Sequence, residues 1–450
     1  DHPQNVFTLL GSDYRVEAEE LVTRMCPSRV CPQQVPSFGR RMGSLFSDVG
    51  LVSAHMLLPE DLTSNLPPVD ENWGDFAADD TASDVNGVPG ARDLVGSGDP
   101  LAEMQDFVSR IAPAGEPIFY FKHVLLPHAP WRYLPEGYEY PQDLPIPGTV
   151  PLAQGAGTRW DENAWLAAQG YQRHILQTMA VDRVLGELLD DLQSNGMYED
   201  ALVIVVSDHG TSFQPGAPRR STAPETVGEL APIPMFIKEP GQTSGRVIDD
   251  PVRTIDILPT IAALLDADDV WEGFDGRSLT EAEPGTMDRE LGFGGVGTPY
   301  SDEGTELVEI VERKYEVFGP GDLDPYLLAP PGTRALIGQQ APGGSPSADA
   351  TATIEEAGRY SDIDLGGGVL PALLRGQVRA NGLGRGSLQI AVAVNGTIAA
   401  VTETYETTEE GLQFQTMLPP GRFEDGRNVV ELYLVERPGR RAVLLLLSQE

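Results

Sequence analysis

The stretch Ala201-Leu-Val-Ile-Val-Val-Ser-Asp-His-Gly210 decides how this chain reads. Its first six residues are an unbroken apolar run, rich in β-branched side chains and too uniform for a half-exposed strand. They predict a strand at the centre of a covered parallel sheet. In open parallel sheets ligands bind beyond the carboxyl ends of the strands, so Asp208 and His209 stand where a site is expected. Gly210 lets the strand break into a loop, where neighbouring side chains can converge instead of pointing to opposite faces. A carboxylate oxygen beside an imidazole nitrogen suits zinc or manganese, and calcium if the imidazole is peripheral. The alternative is an aspartate helix cap beside a surface histidine.

Upstream, Ile175, Met179, Leu185, Leu188, Leu189 and Leu192 recur at three- and four-residue steps before Gly196, predicting one long helix within residues 162–195. Earlier still, Pro117-Ile-Phe-Tyr-Phe-Lys-His-Val-Leu-Leu126 predicts a buried strand stopped by Pro127-His-Ala-Pro-Trp131, which puts His128 at the strand's exit. A histidine there can donate to an anionic oxygen or protonate a departing group, unless it is simply packed between prolines and Trp131. His123, inside the strand, reads as a core residue. Downstream of the Asp-His loop, Arg219 and Arg220 have the planar fork that matches a tetrahedral oxyanion; pairing with surface carboxylates is the alternative. A strand over Ile233–Ile237 and a helix over Asp256–Leu265, with Pro259 in its first turn, complete a second cycle and give an α/β class.

At the start of the chain, residues 5–10 predict a short helix stopped by Gly11, followed by a strand beginning at Tyr14-Arg-Val16. Residues 60–100, rich in Pro, Asp, Gly and Ser, predict a long lid-like surface excursion. Beyond about residue 300 short strands are expected at Thr305–Val311, Tyr315–Phe318, Leu388–Val394, Ile398–Thr404, Val429–Val435 and Ala442–Leu447. Asn395-Gly396 marks a hairpin, and residues 341–347 a linker. The expected division is an α/β domain over 1–300 and a β-rich region over 301–450.

The 450 residues carry 31 Lys plus Arg against 68 Asp plus Glu, a net charge of −37. Such a surface repels polyanions, which makes nucleic acid and anionic membrane surfaces poor partners. The longest apolar runs are six residues, far short of a bilayer span, so direct membrane insertion is not expected. The two cysteines, Cys26 and Cys31, are spaced to close a small disulfide suited to an oxidising compartment; two free buried thiols are the alternative.

Taken in order, the Pro-His-Ala-Pro-Trp exit, the long helix, Ser207-Asp-His-Gly210, the arginines and Asp256-Ile-Leu-Pro-Thr260 resemble the sulfatases of the alkaline phosphatase superfamily over roughly residues 5–285. The resemblance implies a mainly parallel α/β sheet flanked by helices, with a smaller β-rich module behind it. It implies a metal-dependent hydrolase of sulfate esters in which Asp208 and His209 hold a divalent calcium, manganese or zinc ion. His128 and His209 would then be catalytic residues, and His128, Arg219 and Arg220 would bind substrate. The family's nucleophile lies in a Cys-x-Pro-x-Arg motif, which Cys26-Pro-Ser-Arg29 misses by one position. The opening residues instead resemble a segment that follows the nucleophile, so the chain is expected to begin downstream of it and to be inactive alone. A small anionic ester or a sulfated sugar is the expected substrate. The expected setting is extracytoplasmic; proteins of the resembled layout often carry membrane helices upstream, and whether the parent of this chain does is left open. A phosphodiesterase or phosphoglycerol transferase of the same superfamily is the nearest rival, and a non-catalytic scaffold with the same fold is the other. Oligomeric state is left open.

Overall fold

The computed structural model describes residues 3–20, 25–32, 99–141, 146–152, 158–248, 251–267, 273–280, 290–293, 296–299, 305–318, 324–346, 350–380, 387–408, 411–437 and 443–449, with isolated positions between. The expected excursion over 60–100 lies almost wholly outside them. Asn5 starts the first helix, α1 (Val6–Leu10), by accepting from the Thr8 amide at 3.0 Å while the Thr8 hydroxyl accepts from the Asn5 amide at 3.0 Å. That cap turns Phe7, Leu9 and Leu10 inward. Strand β1 (Arg15–Glu20) then pairs in parallel with β2 (Ile118–His123), after α2 (Pro100–Ser109), whose amides Asp99 caps. His123 closes β2, half-buried and opposite Glu20.

A short antiparallel pair, β3 (Thr149–Pro151) with β4 (Thr158–Trp160), precedes the long helix α3 (Ala164–Ser194), capped by Asn163. The glycine stop is borne out: Gly196 has φ +68°, a left-handed conformation that only glycine adopts freely.

The α/β class stands, but the decisive apolar run pairs differently from expectation. Strand β5 (Val203–Val206) lies antiparallel to β6 (Met235–Lys238), with α4 (Val227–Leu230) between them. Among the described residues of this N-terminal part β1–β2 is the parallel pair. Nor is the run fully covered. Leu202 and Ile204 pack with Leu9, Leu10, Phe119 and Ile261, whereas Val206 and Phe236 are exposed. Uniform apolarity reports a strand's affinity for a core; it does not report the direction of the neighbour.

Helix α5 (Ile257–Leu264) is preceded by a fully buried Asp256. Its carboxylate accepts from the Arg253 amide at 2.8 Å and the Arg277 amide at 3.0 Å, and Thr260 accepts from the Leu279 amide at 2.9 Å. Asp256 and Thr260 thus staple residues 277–279 to the helix, which requires Gly276, where a Cβ would stand 2.2 Å from the Ile255 carbonyl oxygen.

After the hairpin β7 (Glu290–Phe293) and β8 (Val296–Pro299), the expected strands over Thr305–Val311 and Tyr315–Phe318 are instead one helix, α6 (Thr305–Phe318). Ile310 and Phe318 are buried while Val308, Val311, Tyr315 and Val317 are exposed, so the inward residues follow helical spacing and the valines face solvent. Valine content suggested strand; the four-residue period of Ile310, Lys314 and Phe318 was the better guide.

The remaining expectations hold more closely. An eight-stranded sheet is built from β9 (Ala350–Ile354), β10 (Leu373–Ala380), β11 (Gln389–Val394), β12 (Thr397–Thr408), β13 (Gly411–Met417), β14 (Val430–Arg437), β15 (Val443–Leu446) and β16 (Ser448–Gln449). Its order is β15-β14-β11-β12-β13-β10-β9-β16, antiparallel except at β16–β9. Asn395 and Gly396 form the β11–β12 turn at φ +50° and +77°. Ile390, Val392 and Val394 enter one core and Ala391 and Ala393 another, so β11 is buried on both faces.

With Ile310 inward and Val311 outward, Ile310→Asp should destabilise the chain by roughly 3 kcal/mol or more, whereas Val311→Asp should cost under about 1 kcal/mol. Urea unfolding of the two variants measures the difference.

Candidate anion and metal site

Past the end of β2 at His123, Pro127 and Pro130, both preceded by cis peptide bonds, flank the exposed His128. Two backbone groups flanking this turn are held by one buried side chain of α3. Gln177 donates from Nε2 to the His128 carbonyl at 2.8 Å, and its Oε1 accepts from the Arg132 amide at 2.9 Å. Trp131 and Trp160 are fully buried beside it.

The Ser207–Gly210 loop leaves β5 on the other side of the site. Gly210 packs so closely that a Cβ would lie 2.0 Å from the Glu229 carbonyl oxygen. Asp208 Oδ1 accepts from the His209 amide at 2.8 Å, and Ser207 Oγ donates to the His209 carbonyl at 3.0 Å. Beneath them Glu229 Oε2 accepts from Ser212 Oγ at 2.6 Å and from the Phe213 amide at 3.2 Å. Its Oε1 lies 3.2 Å from Lys314 Nζ of α6, which also sits 4.2 Å over the Tyr171 ring. This ion pair, buried on the Glu229 side only, fixes the loop from below, and neither partner was singled out from sequence.

Arg220 joins the two sides. His209 Nδ1 is 2.7 Å from the Gly210 carbonyl and donates to it, so Nε2 carries the lone pair and accepts from Arg220 Nη2 at 2.7 Å. His128 Nδ1 likewise faces the Ala129 carbonyl, and its Nε2 accepts from Arg220 Nη1 at 3.4 Å. One guanidinium fork therefore bridges two imidazoles. Crowding by protein atoms pushes the His128 pKa below the usual imidazole range, and Arg220 and Arg219 add to it against the pull of the Ala129 carbonyl. Since His128 is exposed, the neighbouring charges are the firmer cause.

Arg219 is placed differently from its neighbour. It lies 5.3 Å over Trp131 and 5.7 Å over Trp160, with Nη1 3.4 Å from Thr158 Oγ1. Burial, with repulsion from Arg220 and Arg173, lowers its pKa to about 10. The expected pair of equivalent anion-binding arginines is thus split into one exposed fork and one stacked cation.

As metal ligands, Asp208 and His209 fit in chemistry and spacing once His209 Nε2 releases Arg220, since its single lone pair cannot serve both. Asp208 Oδ2 is 3.6 Å from His209 Nε2, close to the roughly 3.3 Å that separates two tetrahedral ligands at 2.0–2.1 Å from one ion. The Nδ1 contact with a carbonyl is the orientation a ligating imidazole needs. Among the described residues no third His, Cys, Asp or Glu joins them. Cys26 and Cys31 form a disulfide with Cα atoms 5.9 Å apart.

Residues 85–267 match the Sulfatase family model, a span holding His128, Asp208, His209, both arginines and Asp256 but not the eight-stranded sheet. An ulvan-active sulfatase of Formosa agariphila is 26% identical over 187 residues, 40% of this chain and 35% of the relative. An endo-4-O-sulfatase of Bacteroides thetaiotaomicron is 27% identical over 174 residues, 37% of this chain and 33% of the relative. The multifunctional alkaline phosphatase superfamily protein PehA of Trinickia caryophylli is 29% identical over 147 residues, 31% and 28% of the two chains. The chain spans about a third of the length of these curated relatives. A phosphonate monoester hydrolase from Silicibacter pomeroyi aligns at 20% identity over 52% of this chain and 49% of that one, with a TM-score of 0.28.

Gln177→Ala should leave the His128 carbonyl and Arg132 amide without their partner and cost about 2–4 kcal/mol in urea unfolding. A second expectation concerns His174, packed against Phe213 and Tyr171, whose pKa falls to about 4 because of burial and the nearby Lys314 charge. The unfolded chain takes up this proton near pH 6.5 and the folded chain only near 4, so stability declines as pH falls between those values, by on the order of 2–3 kcal/mol. In His174→Gln that part of the pH dependence disappears from unfolding curves measured between pH 7 and 4.

Proposed function

We propose, for a chain that belongs to the sulfatase/alkaline phosphatase superfamily, that its described site binds and helps to hydrolyse a sulfate ester on a small molecule or a sugar. The observation that carries this reading is the Arg220 fork held between His128 and His209, with its remaining donors available to an oxyanion. In the hydrolysis water adds to sulfur, the bond from sulfur to the ester oxygen breaks, and the departing oxygen leaves as an alcohol. Negative charge on the sulfuryl oxygens is what a preorganised guanidinium stabilises. His128 orients that guanidinium by accepting from it, and Arg219, fixed by two indoles, adds positive potential behind it.

Asp208 and His209 would hold a divalent cation together with ligands from elsewhere. When bound, such an ion supplies Lewis-acid charge next to the ester oxygens. The relatives named for action on ulvan and for 4-O-sulfate removal favour a sulfated sugar as substrate. The disulfide favours an extracytoplasmic setting.

Titration calorimetry with 4-nitrophenyl sulfate and with 4-nitrophenyl phosphonate tests the assignment. Arg220→Met should weaken aryl sulfate binding at least tenfold with thermal stability retained, and an undiminished affinity would reject the reading. Asp208→Asn should weaken manganese binding by a similar factor. Tighter binding of the phosphonate than of the sulfate would move the assignment to phosphorus esters.

A further inference from the structure

Arg173 lies on the inward face of α3 and is only 2% exposed. All three of its guanidinium nitrogens are shut off from solvent, and none has a hydrogen-bond partner. Tyr140, 1% exposed, is likewise buried with an unpartnered hydroxyl. Both belong to one seam: Tyr140 packs with Leu176, one turn beyond Arg173, with Met417 of the eight-stranded sheet and with Ala372 just before β10. The charge is not answered from any other direction, since among the described residues no carboxylate forms an ion pair with Arg173. Its neighbours are Tyr140, Tyr405 and the face of Trp131 at 5.3 Å, and that same indole already carries Arg219 at 5.3 Å. Two guanidiniums against one ring add repulsion to the cost of desolvation.

A guanidinium does not neutralise itself by losing a proton under ordinary conditions, and a cation–π contact recovers only part of what removing the charge from water costs. A buried charge of this kind calls for a counter-ion, and an unpaired phenol beside it offers one more donor. We propose that Arg173 and Tyr140 hold a small monovalent anion of the halide class in the seam between α3 and the C-terminal sheet. The anion accepts from the guanidinium and from the Tyr140 hydroxyl, and it ties the helix that carries Gln177 to the sheet that carries Met417. Its role is structural: it neutralises a core charge and stands apart from the Arg220 fork.

The test uses the full chain. Thermal unfolding in 0.2 M sodium chloride should occur about 2 °C or more above that in sodium gluconate of equal ionic strength, because the anion binds the folded state alone. Crystals grown in sodium bromide should give an anomalous peak beside Arg173 and Tyr140. Arg173→Met should abolish the chloride increment; should that variant not fold, Tyr140→Phe, which keeps the shape of the site, should reduce the increment by at least half. Equal unfolding temperatures in the two salts, water in place of the bromide peak, or a Tyr140→Phe increment equal to that of the parent would each overturn the proposal.

Discussion

The arrangement depends on a row of amides buried along one helix. Gln169, Gln172 and Gln177 of α3 are each nearly or wholly buried, and a buried amide must find partners or lose more than it contributes. Gln169 donates to the Gln415 carbonyl at 2.7 Å and to Thr402 Oγ1 at 3.1 Å. Gln172 donates to the Pro325 carbonyl at 2.6 Å, and Gln177 clasps the turn that carries His128. One rigid element thus links the eight-stranded sheet to the histidine loop. Hydrogen bonds supply what apolar packing cannot here, which is a fixed register along the helix.

Net charge and local charge have opposite signs in this molecule. The chain carries −37 overall, yet His128, His209, Arg219 and Arg220 meet in one place with Asp208 as the nearby carboxylate. Exposed charges are screened beyond about 8–10 Å in physiological salt, so the distant acidic surface weakens the pull of this patch on an anion less than the totals suggest. It still disfavours long polyanions, whose many charges would lie along that surface.

The two most recognisable motifs do different work. Ser207-Asp-His-Gly210 presents polar atoms to solvent and to Arg220, and Gly210 is there because the Glu229 backbone leaves no room for a Cβ. Asp256-Ile-Leu-Pro-Thr260 faces inward, and its carboxylate and hydroxyl are spent on backbone amides. Recurrence of a motif in an ordered series therefore marks membership of a fold, while the direction of its side chains separates chemistry from support. Lys314 makes the same point from a part of the chain outside the matched family span: it reaches Glu229 beneath the Asp-His loop.

Local pattern was enough for the long helix and its glycine stop, the two proline-ended and Asp-His-ended strands, the Asn395-Gly396 turn and the identity of the polar residues at the strand exits. Those features depend on backbone preference and side-chain period within a few residues, which a sequence records directly. It misled for α6, where β-branched residues outweighed the four-residue spacing of Ile310, Lys314 and Phe318, and for β5, whose partner is antiparallel. The division of labour between Arg219 and Arg220, the contact of Arg220 with a histidine 92 residues earlier, and the buried charge of Arg173 emerged only from the folded chain. Each is a meeting of side chains brought together by packing, and the free energy of such a meeting depends on distance and burial, neither of which is a property of any local stretch.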